Sequence, residues 1–142
     1  MLYLDTDNVA LDRDSMNVPY VGPLHVAAGD AATPPWKLPH ERKYLMSFVG
    51  STRGTPDNVL LRTALRAMCE RDDACATARP RKTAENLMLK WESTFCLEPG
   101  GYSETRKSAV DSMMMGCVPI FFQTAAQYDE VYMFHWENWK ES

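Results

Sequence analysis

From Tyr44 onward, apolar blocks of strand length alternate with polar, glycine-bearing stretches and with segments whose apolar positions recur every three or four residues. Tyr44-Leu45-Met46-Ser47-Phe48-Val49 is a short, mostly apolar run stopped by Gly50, which predicts a buried strand with Ser51-Thr52-Arg53-Gly54 as the loop behind it. Helical spacing follows: Leu61, Leu65 and Met68 predict a helix from Val59 to Arg71 with Asp57 as N-cap, and Arg62 and Arg66 make a second stripe. The pattern reads as loop over Ala74 to Arg81 and as a short helix over Thr83 to Trp91, carrying Leu87, Met88 and Trp91.

Thr94 to Leu97 predicts a second strand, closed by Pro99, Gly100 and Gly101, which end the ladder and suit a tight turn. Ser103 then serves as N-cap for a helix from Glu104 to Met115, with Val110, Met113 and Met114 on its packed face. After Gly116, the continuously apolar run Cys117 to Phe122 is the pattern of a strand buried on both faces, with Pro119 favouring an edge. Residues 1 to 40 read as an irregular lead-in whose Asn17-Val18-Pro19-Tyr20 is strand-like, and Tyr128 to Trp139 is aromatic-rich and fits strand or helix. Residues 41–142 then form one domain of α/β class, Rossmann-like and three-layered, with a parallel sheet and right-handed crossovers. In such a sheet the ligand crevice lies beyond the carboxyl ends of the strands, where both glycine loops fall.

Composition narrows the function classes. With 142 residues, 45% of them hydrophobic and 24% charged, the chain suits a soluble globular domain. A net charge of −4 disfavours nucleic acid as a partner. No apolar run approaches the roughly 20 residues of a membrane span, and the first residues lack the pattern of a targeting signal. Four cysteines without a CxxC pair, beside three histidines, argue against a metal site. Cys96 and Cys117 fall in apolar strands and read as buried thiols, whereas Cys69 and Cys75 fit either thiols or a local disulfide in an oxidising compartment. His25, His40 and His135 are scattered and read as structural or exposed.

The candidate chemistry is anion binding. Arg106 and Lys107 fall in the first turn of the predicted helix, where cations oppose the macrodipole unless an anion sits between them and the exposed N–H groups. Arg53 converges on the same crevice from the first loop, Gly101, Ser103 and Thr105 belong to the second, and Asp111 sits where a carboxylate accepts from ribose hydroxyls. The loops are neither a GxGxxG fingerprint nor a P-loop. Glu98 and Glu104, in a cation-rich turn, do not make a glycosidase carboxylate pair, and no catalytic base is assigned.

These residues resemble the exostosin-like glycosyltransferases of family 47, especially the plant and algal branch that includes xyloglucan galactosyltransferases. The likeness runs through Val18-Pro19-Tyr20 with Leu24-His25, then Arg42, Leu45, Phe48, Gly50 and Arg53, then Arg62, Leu65 and Cys69. It is strongest at Ser93, Phe95-Cys96-Leu97, Pro99, Gly101, Ser103, Thr105-Arg106-Lys107-Ser108, Asp111-Ser112 and Gly116 to Phe122. Two positions depart from the family pattern: Tyr102 stands for an aspartate, and Lys107 for a second arginine, keeping the charge without the planar fork. The resemblance implies the second, donor-binding domain of a GT-B glycosyltransferase, incomplete at both ends, with the acceptor-side amino-terminal domain outside this chain. It implies transfer from a nucleotide sugar, usually a UDP-sugar, to a glycan acceptor, with no cofactor or essential metal. The donor-binding residues would be Arg53, Gly101, Ser103, Thr105, Arg106, Lys107 and Asp111. It also implies a type II Golgi membrane protein at full length. The alternative is a catalytically inert nucleotide-binding or scaffold remnant.

Overall fold

The computed structural model describes residues 33–78 and 83–124, together with two short strands, Leu2–Tyr3 (β1) and Met16–Asn17 (β2), which pair in parallel. Val18-Pro19-Tyr20, Leu24, His25, His135 and the Tyr128 to Trp139 segment lie outside the described residues.

The expected strand at Tyr44 forms as β3 (Tyr44–Val49), and its burial alternates until Ser47 and Phe48, which are both covered. A helix, α1 (Pro56–Cys69), follows, starting earlier than the spacing predicts. Pro56 takes the first helical position, where its missing N–H costs nothing, so Thr55 is the N-cap and Asp57 lies inside the first turn. Cys75–Ala78, read from sequence as loop, is a fourth strand of the described sheet, β4. Its few apolar side chains carry no strand pattern of their own; the register Met46↔Cys75 to Val49↔Ala78 on β3 holds it extended. Then come α2 (Thr83–Trp91), β5 (Ser93–Glu98), α3 (Lys107–Met114) and β6 (Val118–Phe121).

All neighbouring strands of this sheet are parallel, in the order β4-β3-β5-β6. The chain moves outward from β3 to β4 and then crosses back to β5, so the order reverses between β3 and β5. Such a reversal leaves a crevice between the loops that leave the two strands. Phe48 and Leu97 pack with Leu65, Cys69 and Cys75 on the α1 face, joined by Met46 and Leu61. On the opposite face Glu98 meets Lys90 of α2 and Ser112 of α3. The three-layer α/β expectation therefore holds.

Three further expectations change. α3 begins at Lys107 rather than Glu104, and its buried residues are Ala109 and Ser112 rather than Val110, Met113 and Met114, because the helix packs onto the polar Lys90–Glu98 pair. It ends in a Schellman turn: Cys117 N–H donates to Ser112 O, Gly116 N–H donates to Met113 O, and Gly116 takes φ +66°. β6, expected to be buried on both faces, is an edge among the described strands and leaves Val118 52% and Ile120 36% exposed. Pro119 lacks a ladder N–H, which suits that position.

Cys96 and Cys117 are joined in a disulfide, not left as thiols. Pairing of β5 with β6 in the register Cys96↔Pro119 brings Cys117, one step before β6, beside Cys96. The other two cysteines form a second disulfide, Cys69–Cys75, from the end of α1 to the start of β4. At the amino ends of the strands, Trp91 stacks on His40 with ring centroids 3.6 Å apart, and Arg42 donates to the carbonyls of Ser93 and Gly116. His40 and Arg42 are thus structural, at the end of the sheet opposite the glycine loops.

The two disulfides differ in the length of chain they close, 21 against 6 residues. Replacing Cys96 and Cys117 by alanine should lower stability by about 3 kcal/mol, and the Cys69/Cys75 pair by less, because a longer loop loses more denatured-state entropy. Urea unfolding measures both, and equal losses would contradict the entropic account.

Candidate functional site

Arg62 organises the site. Placed by α1 spacing on the same face as Leu65, it is carried inward to 1% exposure. Its side chain lies over the Phe48 ring, 5.4 Å from the centroid, and crosses the strand reversal. Nε donates to Ser51 O at 2.6 Å in the loop after β3; Nη1 donates to Pro99 O at 3.0 Å and Gly100 O at 2.9 Å in the loop after β5. Gly50 is needed beneath it, since a Cβ there would stand 2.5 Å from Nη2. Burial pushes the guanidinium down to about 10, Arg106 and Arg66 push the same way, and Glu98 opposes them. The group is charged at neutral pH, so it adds positive potential behind the site.

The two loops also touch directly. Thr55 N–H and Asn58 Nδ2 both donate to Gly101 O, at 3.0 and 2.9 Å. A Cβ on Gly54 would lie 2.7 Å from that same oxygen, so only glycine permits the approach. Gly101 N–H turns back to donate to Ser103 O at 2.8 Å, and Arg106 Nη1 packs so closely on Gly101 that a Cβ would stand 2.5 Å away.

In front of this junction lies a cavity of about 310 Å³ lined by Gly101, Tyr102, Ser103, Thr105, Arg106, Lys107 and Ser108. Five sequence-predicted residues therefore come together: Gly101, Ser103, Thr105, Arg106 and Lys107. Arg53 does not join the lining; it is exposed on the neighbouring loop. Asp111, one helical turn beyond Lys107, receives its ammonium at 2.8 and 2.6 Å, so these two residues are partners at the cavity edge. Ser103 is not the N-cap, because its hydroxyl donates to Thr105 O at 3.0 Å. Arg106 occupies the N-cap position with extended backbone, and its own side chain makes no capping bond to the first N–H groups of α3. Tyr102 is 73% exposed at the rim.

Under the floor of the cavity lies a polar cluster that sequence reasoning passed over. Lys90 and Glu98, 3% and 5% exposed, form an ion pair at 2.6 Å. Lys90 also donates to Ser112 Oγ at 2.6 Å and lies 3.0 Å from both Ser108 O and Ser108 Oγ. Glu98 is thus the buried last residue of β5 and not part of a cation-rich turn. Helical spacing carried the missing signal: Lys90 follows Leu87 by three residues and shares its inward face.

A parallel α/β sheet with its strand order reversed, and with cations at a helix start lining a cavity beyond the strand ends, is an α/β domain with an anion-compatible crevice. The chain belongs to the exostosin GT47 family, whose domain matches residues 3–139. It is 36% identical over 103 residues to the xyloglucan galactosyltransferase MUR3 of Arabidopsis thaliana, a match covering 67% of this chain and 16% of that protein. It is 33% identical over 102 residues to the xyloglucan-specific galacturonosyltransferase 1 of the same plant, covering 67% and 15%. The match to the probable xyloglucan galactosyltransferase GT14 is longer and lower, 27% over 132 residues, covering 87% of this chain and 25% of the relative. The chain thus spans between about a seventh and a quarter of the length of these relatives. No solved structure matches.

Substituting Arg62 by alanine leaves the carbonyls of Ser51, Pro99 and Gly100 without their donor, and should destabilise the chain by roughly 3 kcal/mol or more. Arg62→Lys, charged but without the fork, should recover only part of this. Chemical denaturation decides: a loss under about 0.5 kcal/mol, the range of ordinary surface changes, would show that the brace is dispensable.

Proposed function

We propose that this domain binds the donor of a glycosyltransferase, holding the diphosphate of a nucleotide sugar, a UDP-sugar by the family likeness, while the sugar passes to a glycan acceptor. The observation that carries the reading is the cavity in front of the two-loop junction, where Arg106 and Lys107 stand at the start of α3. Cations there raise the energy of the empty helix terminus and lower it once an anion bridges them to the N–H groups. Gly101, Ser103 and Thr105 supply the close backbone and the hydroxyls of the turn. Arg53, exposed on the neighbouring loop and outside the lining, takes part only if its side chain swings toward the bound diphosphate, and Asp111 holds Lys107 in place or accepts from the ribose.

In such a transfer the diphosphate leaves with its negative charge as the new glycosidic bond forms, and fixed positive groups lower that barrier. Among the described residues the lining contains cations and hydroxyls, which suits charge neutralisation by protein groups. The base that takes the acceptor proton belongs, on this reading, to the amino-terminal domain of the full-length enzyme. Xyloglucan, named for the relatives, indicates a plant-type polysaccharide acceptor. Two disulfides fit a lumenal compartment such as the Golgi, where a type II membrane protein presents this domain.

Titration of the chain with UDP tests the reading, and absence of binding by the folded protein would refute it. Arg106→Ala should weaken UDP by about 1.5 to 3 kcal/mol for a charged hydrogen bond lost. Lys107→Ala should cost less, because that ammonium is exposed and already shared with Asp111. Unchanged affinity in both would remove the phosphate from this end of α3. Turnover by the longer gene product, lost on Arg106→Ala, separates an enzyme from an inert nucleotide-binding remnant.

A further inference from the structure

Four polar side chains beneath the cavity, Lys90, Glu98, Ser108 and Ser112, do not share their protons equally. Glu98 Oε1 accepts two short bonds, from Lys90 Nζ and from Ser112 Oγ, both at 2.6 Å. Those two donors occupy its lone pairs. Ser108 Oγ lies farther from the same oxygen, at 3.2 Å, as a third and weaker donor. Lys90 has three protons for four acceptors, so the one left after Glu98 and Ser112 is shared between Ser108 O and Ser108 Oγ, both at 3.0 Å, and the hydroxyl oxygen is a part-time acceptor on that side. Its own proton is therefore the weakly engaged one of the cluster. Ser108 is half-buried, and it is the one member of the four that lines the cavity.

We propose that Ser108 is a further donor-binding residue, whose hydroxyl proton swings from the saturated Glu98 Oε1 to a phosphate oxygen of the nucleotide when the cavity fills. The inference rests on the donor-site reading above and deepens it. Lys90 and Glu98 act as positioning residues. The ammonium's third proton, shared between Ser108 O and Oγ, sits against the Ser108 oxygen from beneath, which leaves its hydroxyl proton the carboxylate or the cavity as directions. The carboxylate in turn holds the ammonium where it is. Because the bond given up is long and the bond formed is to a charged oxygen, the exchange favours the ligand.

NMR-detected titration of the full chain with UDP and with uridine tests this. Ser108→Ala should weaken UDP by a factor of about ten, the size of one charge-assisted hydrogen bond, and leave uridine unchanged. Ser108→Thr, which keeps the hydroxyl, should retain most of the affinity for UDP. Ser108→Cys keeps the volume but donates weakly, and it decides in place of the alanine variant if that one fails to fold. Wild-type affinity for UDP in Ser108→Ala, or an equal loss for UDP and uridine, would overturn the assignment and leave the donor site standing. Failure of the wild-type chain to bind UDP would overturn the donor site and this inference together.

Discussion

The site depends on one buried guanidinium. Arg62 is carried into the interior by α1, and its donors meet carbonyls from the two loops that leave β3 and β5. Those loops have no ladder between them, because their strands have ended, and main-chain carbonyls at a chain reversal need donors from elsewhere. A planar group with five N–H donors supplies several in one plane, which a lysine at the same place would not. The cost of removing the charge from water is visible in the lowered affinity of Arg62 for its proton, to about 10. Phe48 beneath it, and glycine at position 50, give the group a flat place to lie.

On the other face of the sheet, the Lys90–Glu98 pair plays a corresponding part. A buried ion pair adds little net stability, since desolvation offsets much of its attraction. Its effect here is on placement: the pair joins the end of α2 to the end of β5, and the serines of α3 complete it. The cavity thus stands on two polar anchors, one on each face of β5, and both reach into the same turn. Arg62 fixes the carbonyls of Pro99 and Gly100, while Glu98, the residue immediately before them, is held from below. A turn fixed at both its root and its crest presents Arg106, Lys107 and Ser108 in a defined arrangement.

Much of the fold was readable because its signals are local. Apolar runs ended by glycine marked β3 and β5, three- and four-residue spacing marked α1 and α2, and the turn at Pro99 to Gly101 announced a crevice. The reading failed where an element owes its shape to a distant partner. β4 has too few apolar residues to be recognised, and only its pairing with β3 makes it a strand. Cys96 and Cys117 look like ordinary buried thiols until β5 and β6 lie side by side. The inward face of α3 turned on Ser112 rather than Val110, because the surface it meets is an ion pair and not an apolar layer.

The candidate site divides along the same line. The residue order alone determined which groups are gathered near the second turn, since Gly101, Ser103, Thr105, Arg106 and Lys107 are close along the chain and a short turn cannot separate them. Tertiary structure alone decided the roles that depend on distance: Arg62 as brace rather than surface stripe, Ser103 as an internal turn bond rather than a cap, Asp111 as the partner of Lys107, and Lys90 as a buried ammonium. The physical reason is that a backbone carbonyl or a buried charge needs a partner from whatever part of the chain the fold brings near, and periodicity carries no record of which part that is.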